Sequence, residues 1–206
     1  MKRIKVFLAI IMVLSLFSLS YADNKVVGSY VKGKGKTLDF KFGTFGISAR
    51  GFYSIPSGDI ANVLNGSLGP ELLVTYRKFL IDDLDLQVSG TLNTYTGKFD
   101  STNTFQSIGA RLLGRYNIKI ENVEGLFFLD AGGGFAFETL KVSTVSADNI
   151  DPIWSFGAGY EIGLFDNITL TVNINYLMMP EKYIANATRD GSFIDFAIGL
   201  NYEFYE

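Results

Sequence analysis

The sequence predicts an all-β fold, namely an eight-stranded antiparallel up-and-down transmembrane β-barrel. Three observations predict it. Apolar and polar residues alternate along eight segments, the connections between the segments alternate between longer and shorter, and one face of the segments is apolar and almost free of charge. Alternation with a period of two is typical of β-strands, because successive side chains point to opposite faces.

The alternation is clearest in residues 168–178, which read ITLTVNINYLM. Ile168, Leu170 and Ile174 belong to the apolar face of this segment, whereas Thr169 and Asn173 belong to its polar face. A strand of this kind has one face against an apolar environment and one against a polar environment. Which of the two faces the outside of the barrel decides whether the protein lies in water or in a membrane.

Eight segments share this pattern and are predicted strands: residues 44–54, 69–80, 84–96, 105–119, 125–140, 153–164, 168–180 and 193–204. The first, third, fifth and seventh connections are longer and include SIPSGDIANVLNGSL and KVSTVSADNIDP. The second, fourth and sixth are the tight turns IDD, ENVE and FDN, in which Asp and Asn are favoured because they tolerate left-handed backbone. The sequence therefore predicts a meander with tight turns at one end and longer loops at the other.

The size of the side chains predicts which face points inward. An eight-stranded barrel has an interior just wide enough for its own side chains, so a face with many large apolar residues does not fit there. The apolar face includes Leu86, Leu112, Phe156, Ile174 and Phe196. The opposite face includes Ser89, Gly132, Gly157, Asn173 and Gly199, with Leu73, Leu113 and Leu177 as apolar exceptions. We therefore expect the apolar face to point into lipid, where a closed barrel also leaves no unpaired strand edge.

The N-terminus predicts export from the cytoplasm. Lys2, Arg3 and Lys5 precede an apolar run, and a small-x-small cleavage site ends at Ala22, which is typical of a secretory signal peptide. The predicted organisation is a signal peptide at residues 1–22, an N-terminal segment at 23–43 and the barrel domain at 44–206. The chain has no cysteine, and its net charge of −3 argues against nucleic acid as a partner.

Aromatic residues are predicted to form two girdles where the barrel wall meets the headgroup regions. Both ends of an even-stranded barrel emerge with the short turns, on the periplasmic side. The residues expected near the periplasmic interface are Tyr76, Tyr116, Phe127, Tyr202 and Phe204. Those expected toward the extracellular interface are Tyr53, Phe137 and Trp154.

With these features the sequence resembles the small outer-membrane β-barrel proteins, the OmpA/OmpX-like and opacity-protein-like group. The resemblance covers residues 44–204 and rests on the signal peptide, the eight strands, the alternating connections and the last strand, FIDFAIGLNYEF. That strand resembles the C-terminal assembly signal of the family, although Tyr205 and Glu206 follow its final Phe204. The resemblance implies location in the bacterial outer membrane and contact with the assembly machinery of that membrane.

Charged residues on the polar face predict a network of ion pairs in the lumen, because buried charges need partners. Counting residues across the tight turns places Arg77 opposite Asp85, and Arg115 opposite Asp130. Arg50 and Asp195 are expected at similar heights on neighbouring strands. The full predicted set is Arg50, Glu71, Arg77, Asp85, Arg111, Arg115, Asp130, Glu138, Glu161, Asp195 and Glu203.

The residue types that are missing argue against catalysis. The chain contains no histidine and no cysteine, so Ser and Thr hydroxyls have no evident activating base and zinc has no favoured ligands. We expect no enzyme activity, no cofactor and no metal site.

Three functional hypotheses follow from the sequence. The first is a monomeric outer-membrane barrel with a plugged lumen, which acts in envelope integrity or binds host or other surface ligands through its extracellular loops. The second is a narrow porin or solute channel. The third is a soluble ligand-binding barrel of the lipocalin kind.

Overall fold

A computed structural model describes Ser29–Tyr30, Phe40–Lys41, and residues 45–142, 144–181 and 189–204; for residues 29, 30, 40, 41, 180, 181, 189 and 190 it describes the backbone only. The strands are β1 (Ser29–Tyr30), β2 (Phe40–Lys41), β3 (Phe45–Gly58), β4 (Ser67–Tyr76), β5 (Leu84–Thr96), β6 (Thr104–Ile118), β7 (Leu126–Val142), β8 (Val145–Phe165), β9 (Ile168–Glu181) and β10 (Arg189–Phe204). Strands β3 to β10 form a closed antiparallel barrel, and β10 pairs with β3. The predicted fold class is confirmed.

Two small elements lie outside the barrel wall. Strands β1 and β2 pair with each other, Ser29 opposite Lys41. A 3-10 helix at Asp59–Asn62 lies in the connection between β3 and β4. None of the helices in the described ranges has the length and apolar character needed to cross a membrane. The predicted signal peptide at residues 1–22 and most of the predicted N-terminal segment at 23–43 lie outside the described residues.

The barrel strands are strongly staggered. A path that follows paired residues from Phe45 through β4 to β10 returns to β3 at Ile55, ten residues further along the strand. Such a stagger requires the strands to tilt relative to the barrel axis, which sets the width of the interior. With only eight strands the lumen is nevertheless narrow, and side chains from opposite walls meet in it, as Arg77 and Glu161 do.

The apolar face lies on the outside of the barrel, as predicted. Ile174 is 51% exposed, and Leu112, Phe156 and Leu200 are exposed as well. The alternate residues Thr171 and Asn173 are buried inside. A wall of exposed large apolar side chains around a buried polar interior is the arrangement that hydrocarbon favours.

The connection between β7 and β8 differs from its prediction. Residues 141–152 were expected to be a loop, but Val142 pairs with Val145, and the pairing continues down to Leu126 opposite Glu161. The β-branched residues Val142, Val145 and Ile150 favour strands, and this preference outweighs the turn propensity of Asp148 and Asn149. On one side of this hairpin, β7 stays paired with β6 up to Lys141 opposite Thr104. On the other side, β8 pairs with the described part of β9 only from Trp154 onward.

Inward glycines make room for large neighbours. A Cβ added to Gly159 would collide with the ring of Phe128, and one added to Gly199 would collide with the Arg50 side chain. A Cβ at Gly134 would collide with the carbonyl oxygen of Ala110 on the neighbouring strand. The lumen therefore holds its large residues only because the facing positions have no side chain.

Candidate functional site in the barrel lumen

The inward side chains form two layers of opposite chemistry. The ionic layer consists of Arg50, Glu71, Arg77, Asp85, Arg111, Arg115, Asp130, Glu161 and Glu203. The apolar layer consists of Ile60, Tyr95, Phe105, Ala136, Ile153, Leu177, Met179 and Phe193. The ionic layer fills the half of the lumen toward the short-turn end, where Phe45 and Phe204 pair. The apolar layer fills the half toward the long-loop end, where the β3–β4 and β5–β6 loops lie.

Arg77 lies in the lumen at the short-turn end. It follows the last residue of β4, and its guanidinium turns inward, where it is buried. Its Nη1 donates to Asp85 Oδ2 at 2.9 Å, and its Nη2 donates to Glu161 Oε1 at 2.6 Å and to Glu203 Oε1 at 2.5 Å. One guanidinium therefore connects β5, β8 and β10 across the lumen.

Arg115 forms the next part of the ionic layer. Its Nε donates to Asp130 Oδ1 at 2.9 Å and its Nη1 to Glu161 Oε2 at 3.0 Å. Its guanidinium carbon lies 3.6 Å from the centre of the Phe128 ring, in cation–π geometry. The Glu161 carboxylate is thus shared between Arg77 and Arg115, and Thr169 Oγ1 also donates to it at 2.8 Å.

Glu71 contacts two arginines of the ionic layer, Arg111 and Arg50. Its Oε1 accepts from Arg111 Nη2 at 2.5 Å, and its Oε2 lies 3.7 Å from Arg50 Nη1. Arg111 also donates to Ser89 and Ser155, at 3.1 and 3.2 Å. These bonds give the Arg111 guanidinium acceptors on strands from several sides of the lumen. A buried cation needs such partners to compensate for its lost hydration.

The two pairs expected across the tight turns, Arg77 with Asp85 and Arg115 with Asp130, are both present. The expected juxtaposition of Arg50 and Asp195 is wrong. Asp195 lies opposite Ser54, whereas Arg50 lies opposite Gly199, four residues away along β10. Arg50 pairs with Glu71, its partner on β4.

Glu138 lies apart from the ionic layer. It is buried on β7 opposite Ser107 of β6 and Asn149 of β8, in the part of the barrel that leads into the β7–β8 hairpin. Of the predicted set, the structure thus brings nine residues into one layer and places Asp195 and Glu138 nearer the long-loop end.

The apolar layer was missed by the sequence interpretation, apart from Leu177. Tyr95 contacts Phe105 and Phe193, with ring centres 5.6 and 4.9 Å apart, and its hydroxyl is within 2.7 Å of Ser54 Oγ. The sequence contained a signal for this layer. Tyr95 is two residues from the inward Asn93, and Phe193 is two residues from the inward Asp195, so each lies on the inward face of its strand. The expectation of a mostly small or polar interior concealed it.

Ile60 covers the apolar layer from the β3–β4 loop. The 3-10 helix at Asp59–Asn62 carries this buried side chain, and Val63 and Leu64 pack beside it. Backbone bonds join the loop to its neighbour: Asn65 N donates to Thr96 O and Lys98 N donates to Val63 O, both at 2.9 Å. The β3–β4 loop is therefore packed over the mouth of the barrel.

The predicted girdle residues lie on the outer wall near the two ends of the barrel. Phe45 contacts Phe204, and Tyr202 contacts Phe204, with ring centres 5.8 and 5.0 Å apart. Tyr76, Tyr116 and Phe127 lie at the same end, whereas Tyr53 and Trp154 lie toward the long-loop end. Phe127 also contacts Tyr160, at 4.8 Å between ring centres.

In the described parts of the chain, no group of three or more His, Cys, Asp or Glu residues is arranged to hold a metal ion. The carboxylates of the ionic layer accept hydrogen bonds from guanidinium groups. The arrangement can close the bore and hold opposite walls together.

Comparison of folds gives similar structures from three bacteria. Neisserial surface protein A (NspA) is 14% identical and has a TM-score of 0.63, covering 78% of this chain and 97% of its own. The attachment invasion locus protein Ail of Yersinia pestis is 14% identical, with a TM-score of 0.54 and coverages of 79% and 99%. OprG of Pseudomonas aeruginosa is 12% identical, with a TM-score of 0.52 and coverages of 80% and 98%. At these identities the likeness shows the fold alone.

Comparison of sequences identifies the family. No curated protein matches the chain. Residues 8–204 match the family model described as the outer membrane protein beta-barrel domain. The match covers nearly the whole chain and agrees with the closed barrel and its apolar outer wall. The chain therefore belongs to the outer membrane protein beta-barrel family, and its place is the bacterial outer membrane.

Proposed function

We propose that this protein is a closed outer-membrane barrel, which conducts no solutes and acts through the surface that it presents outside the cell. The burial of the lumen side chains carries the proposal. Arg115 and Glu161 in the ionic layer are each 1% exposed, and Phe193 in the apolar layer is 0% exposed. Little room for water remains beside side chains that are buried to this extent.

The order of the two layers strengthens the barrier. Ions are disfavoured in the apolar layer, because a hydrophobic constriction excludes water and the ion would lose its hydration. Apolar solutes are disfavoured in the ionic layer, because they would have to displace paired charges from a site that offers them no compensating bonds. Two barriers of opposite chemistry in series oppose both classes of solute.

Planar-bilayer recording tests the closed barrel. The purified, folded protein is expected to give no unitary conductance above that of protein-free bilayers. The variant Arg115→Ala is expected to stay silent, because the apolar layer remains intact. Reproducible conductance steps in the native protein, with a size that changes in Arg115→Ala, would establish the alternative function of a narrow channel.

A surface role is supported by the long-loop end. The β7–β8 hairpin continues past the last pairing of β8 with β9, with Val145 and Ile150 exposed, and Phe99 in the β5–β6 loop is 88% exposed. Binding residues are found disproportionately on loops that a rigid scaffold positions. Among similar structures, Ail, the attachment invasion locus protein of Yersinia pestis, has been solved in complex with the heparin analogue sucrose octasulfate. We propose that the loops of this chain likewise contact ligands at cell surfaces.

Cell-binding assays test the surface role. Cells that display the native protein are compared with cells that display a shortened hairpin, in which residues 141–146 are replaced by a two-residue Asn-Gly turn. The shortened variant, matched for surface level, is expected to bind less to glycosaminoglycan-coated or matrix-coated surfaces. Equal binding by both, or no binding above cells without the protein, would refute this part of the proposal.

A further inference from the structure

We propose that the three tight turns carry apolar side chains into the periplasmic-leaflet lipid and thereby anchor the rim of the barrel. Each turn exposes large apolar residues. The turn after β4 exposes Leu80 (81%) and Ile81, the turn after β6 exposes Ile120, and the turn after β8 exposes Phe165 (65%). Tight turns of outer-membrane barrels lie at the periplasmic side. This inference is independent of whether the lumen conducts.

The β4–β5 turn has a defined conformation that presents its apolar tip. Phe79 N donates to Leu84 O at 2.6 Å, Leu84 N donates to Ile81 O at 3.1 Å, and Asn117 N donates to Asp83 O at 2.7 Å. The last of these bonds connects the turn to β6. The exposed tip is therefore held in place against the wall of the barrel.

The backbone at the tip is unfavourable for the residue that occupies it. Leu80 has a φ of 94°, and Lys78 has a φ of 56°. Turn positions with positive φ usually carry Gly, Asn or Asp, because a branched side chain is strained there. In water, an exposed Leu at such a position combines this strain with the cost of exposed apolar surface. Burial of the side chain in lipid would remove the second of these costs.

The turns continue the apolar outer wall. The ring of Phe79 packs edge-on against that of Tyr76, with centres 6.3 Å apart, and Tyr76 belongs to the girdle on the lipid-facing side. At the next two turns, Ile120 comes shortly after the end of β6 and Phe165 is the last residue of β8. The exposed apolar residues therefore begin where the lipid-facing wall ends.

The distribution around the rim favours lipid over a protein partner. The three turns follow β4, β6 and β8, which are spaced evenly around the closed barrel. Phe45 and Phe204, at the junction of β3 and β10, place aromatic rings on the fourth side. A protein docked at one side would cover one or two of these positions, whereas a bilayer surrounds all of them.

Methyl NMR of the native protein in phospholipid nanodiscs tests this anchoring. Lipids with a doxyl label at acyl carbon 5 are expected to broaden the methyl signals of Leu80, Ile81 and Ile120. A water-soluble gadolinium chelate is expected to broaden these signals much less than those of Val145, the exposed control at the long-loop end. Apart from the scaffold protein at the edge of the disc, the nanodiscs contain no other protein, so the lipid accounts for protection.

The opposite pattern would overturn the inference. Methyl groups of Leu80 and Ile120 that are broadened by the gadolinium chelate as strongly as Val145, and that are unaffected by the labelled lipid, would lie in water. The apolar turns would then be surfaces for a periplasmic protein or for another copy of the chain. Protection of Leu80 with exposure of Ile120 would also refute anchoring by the whole rim.

Discussion

Arg77 and Glu161 lie on opposite sides of the barrel and form an ion pair across the lumen, with Arg77 Nη2 2.6 Å from Glu161 Oε1. Arg77 follows β4, and Glu161 lies on β8, four strands away in the closed order. The two groups come together only when the sheet has curled and closed. Their interaction therefore favours the closed barrel over an open sheet.

Replacement of Glu161 by alanine is expected to destabilise the barrel strongly. The change leaves Arg77 and Arg115 with one fewer buried carboxylate, and breaking a buried pair by removing one partner costs about 3–5 kcal/mol. The measurement is the free energy of unfolding by urea in lipid vesicles. Glu124→Ala, in the exposed β6–β7 turn, serves as the control with little expected change. Equal stabilities of the two variants would contradict the importance of the shared carboxylate.

Truncation of the apolar layer is expected to destabilise the long-loop half of the barrel. Phe193→Ala removes a fully buried ring that contacts Tyr95, and such a truncation costs about 3–5 kcal/mol because a cavity remains. Phe99→Ala, in the exposed β5–β6 loop, is the matched control. The free energy of unfolding in vesicles is expected to be clearly lower for Phe193→Ala than for Phe99→Ala. A small effect of Phe193→Ala would mean that the layer is loosely packed.

Because neighbouring strands approach closely at Gly134, we expect that the barrel does not tolerate even one added methyl group there. Gly134→Ala places a Cβ against the carbonyl oxygen of Ala110, so the backbone must move, at a cost of about 1–3 kcal/mol. Gly51→Ala is the control, because no atom lies within 4 Å of the added Cβ. The yield of folded barrel and its unfolding midpoint measure the difference. Gly134→Ala with native behaviour would contradict the tight packing.

Asp100 in the β5–β6 loop is expected to titrate below the usual range. The Oγ1 and backbone N–H of Thr102 donate to Asp100 Oδ1 at 2.7 and 2.9 Å, and these bonds, the side-chain bond foremost, lower the pKa of Asp100. Because the folded-state pKa is lowered, the stabilisation of this loop is complete above the ordinary pKa. It is lost as the pH falls through the lowered value.

Thr102→Val tests the cause of that shift, because it removes the hydroxyl donor and keeps the backbone donor. An NMR titration of the Asp100 carboxyl carbon is expected to show a pKa that moves partway back toward the ordinary value. The native protein is the reference. An unchanged pKa in the variant would show that the hydroxyl bond contributes nothing to the shift.

Much of the architecture could be predicted from the sequence because a strand's period is so simple. Ile174 and Asn173 are adjacent in the strand and therefore point to opposite faces. The size of the side chains on each face then decides which face is inside. The pairs Arg77–Asp85 and Arg115–Asp130 could be predicted because a tight turn fixes the register of its two strands.

The remaining features depend on distances that the chain order does not reveal. Arg50 and Asp195 lie on the two strands that close the barrel, and no turn joins these strands. Their register follows from the stagger accumulated around all eight strands, so it cannot be counted from the sequence. Phe193 and Tyr95 have inward parity, but only the assembled lumen shows that the two rings meet.

The direct test of the membrane-facing wall uses the native protein in phospholipid nanodiscs. Nuclear Overhauser effects between lipid acyl chains and side-chain methyl groups report which residues contact hydrocarbon. If the apolar face points outward, the methyl groups of Ile174 and Leu200 will show these effects, and those of the buried Leu73 and Leu177 will show none. Acyl-chain contacts at Leu73 and Leu177, with none at Ile174 and Leu200, would contradict the assignment of the two faces.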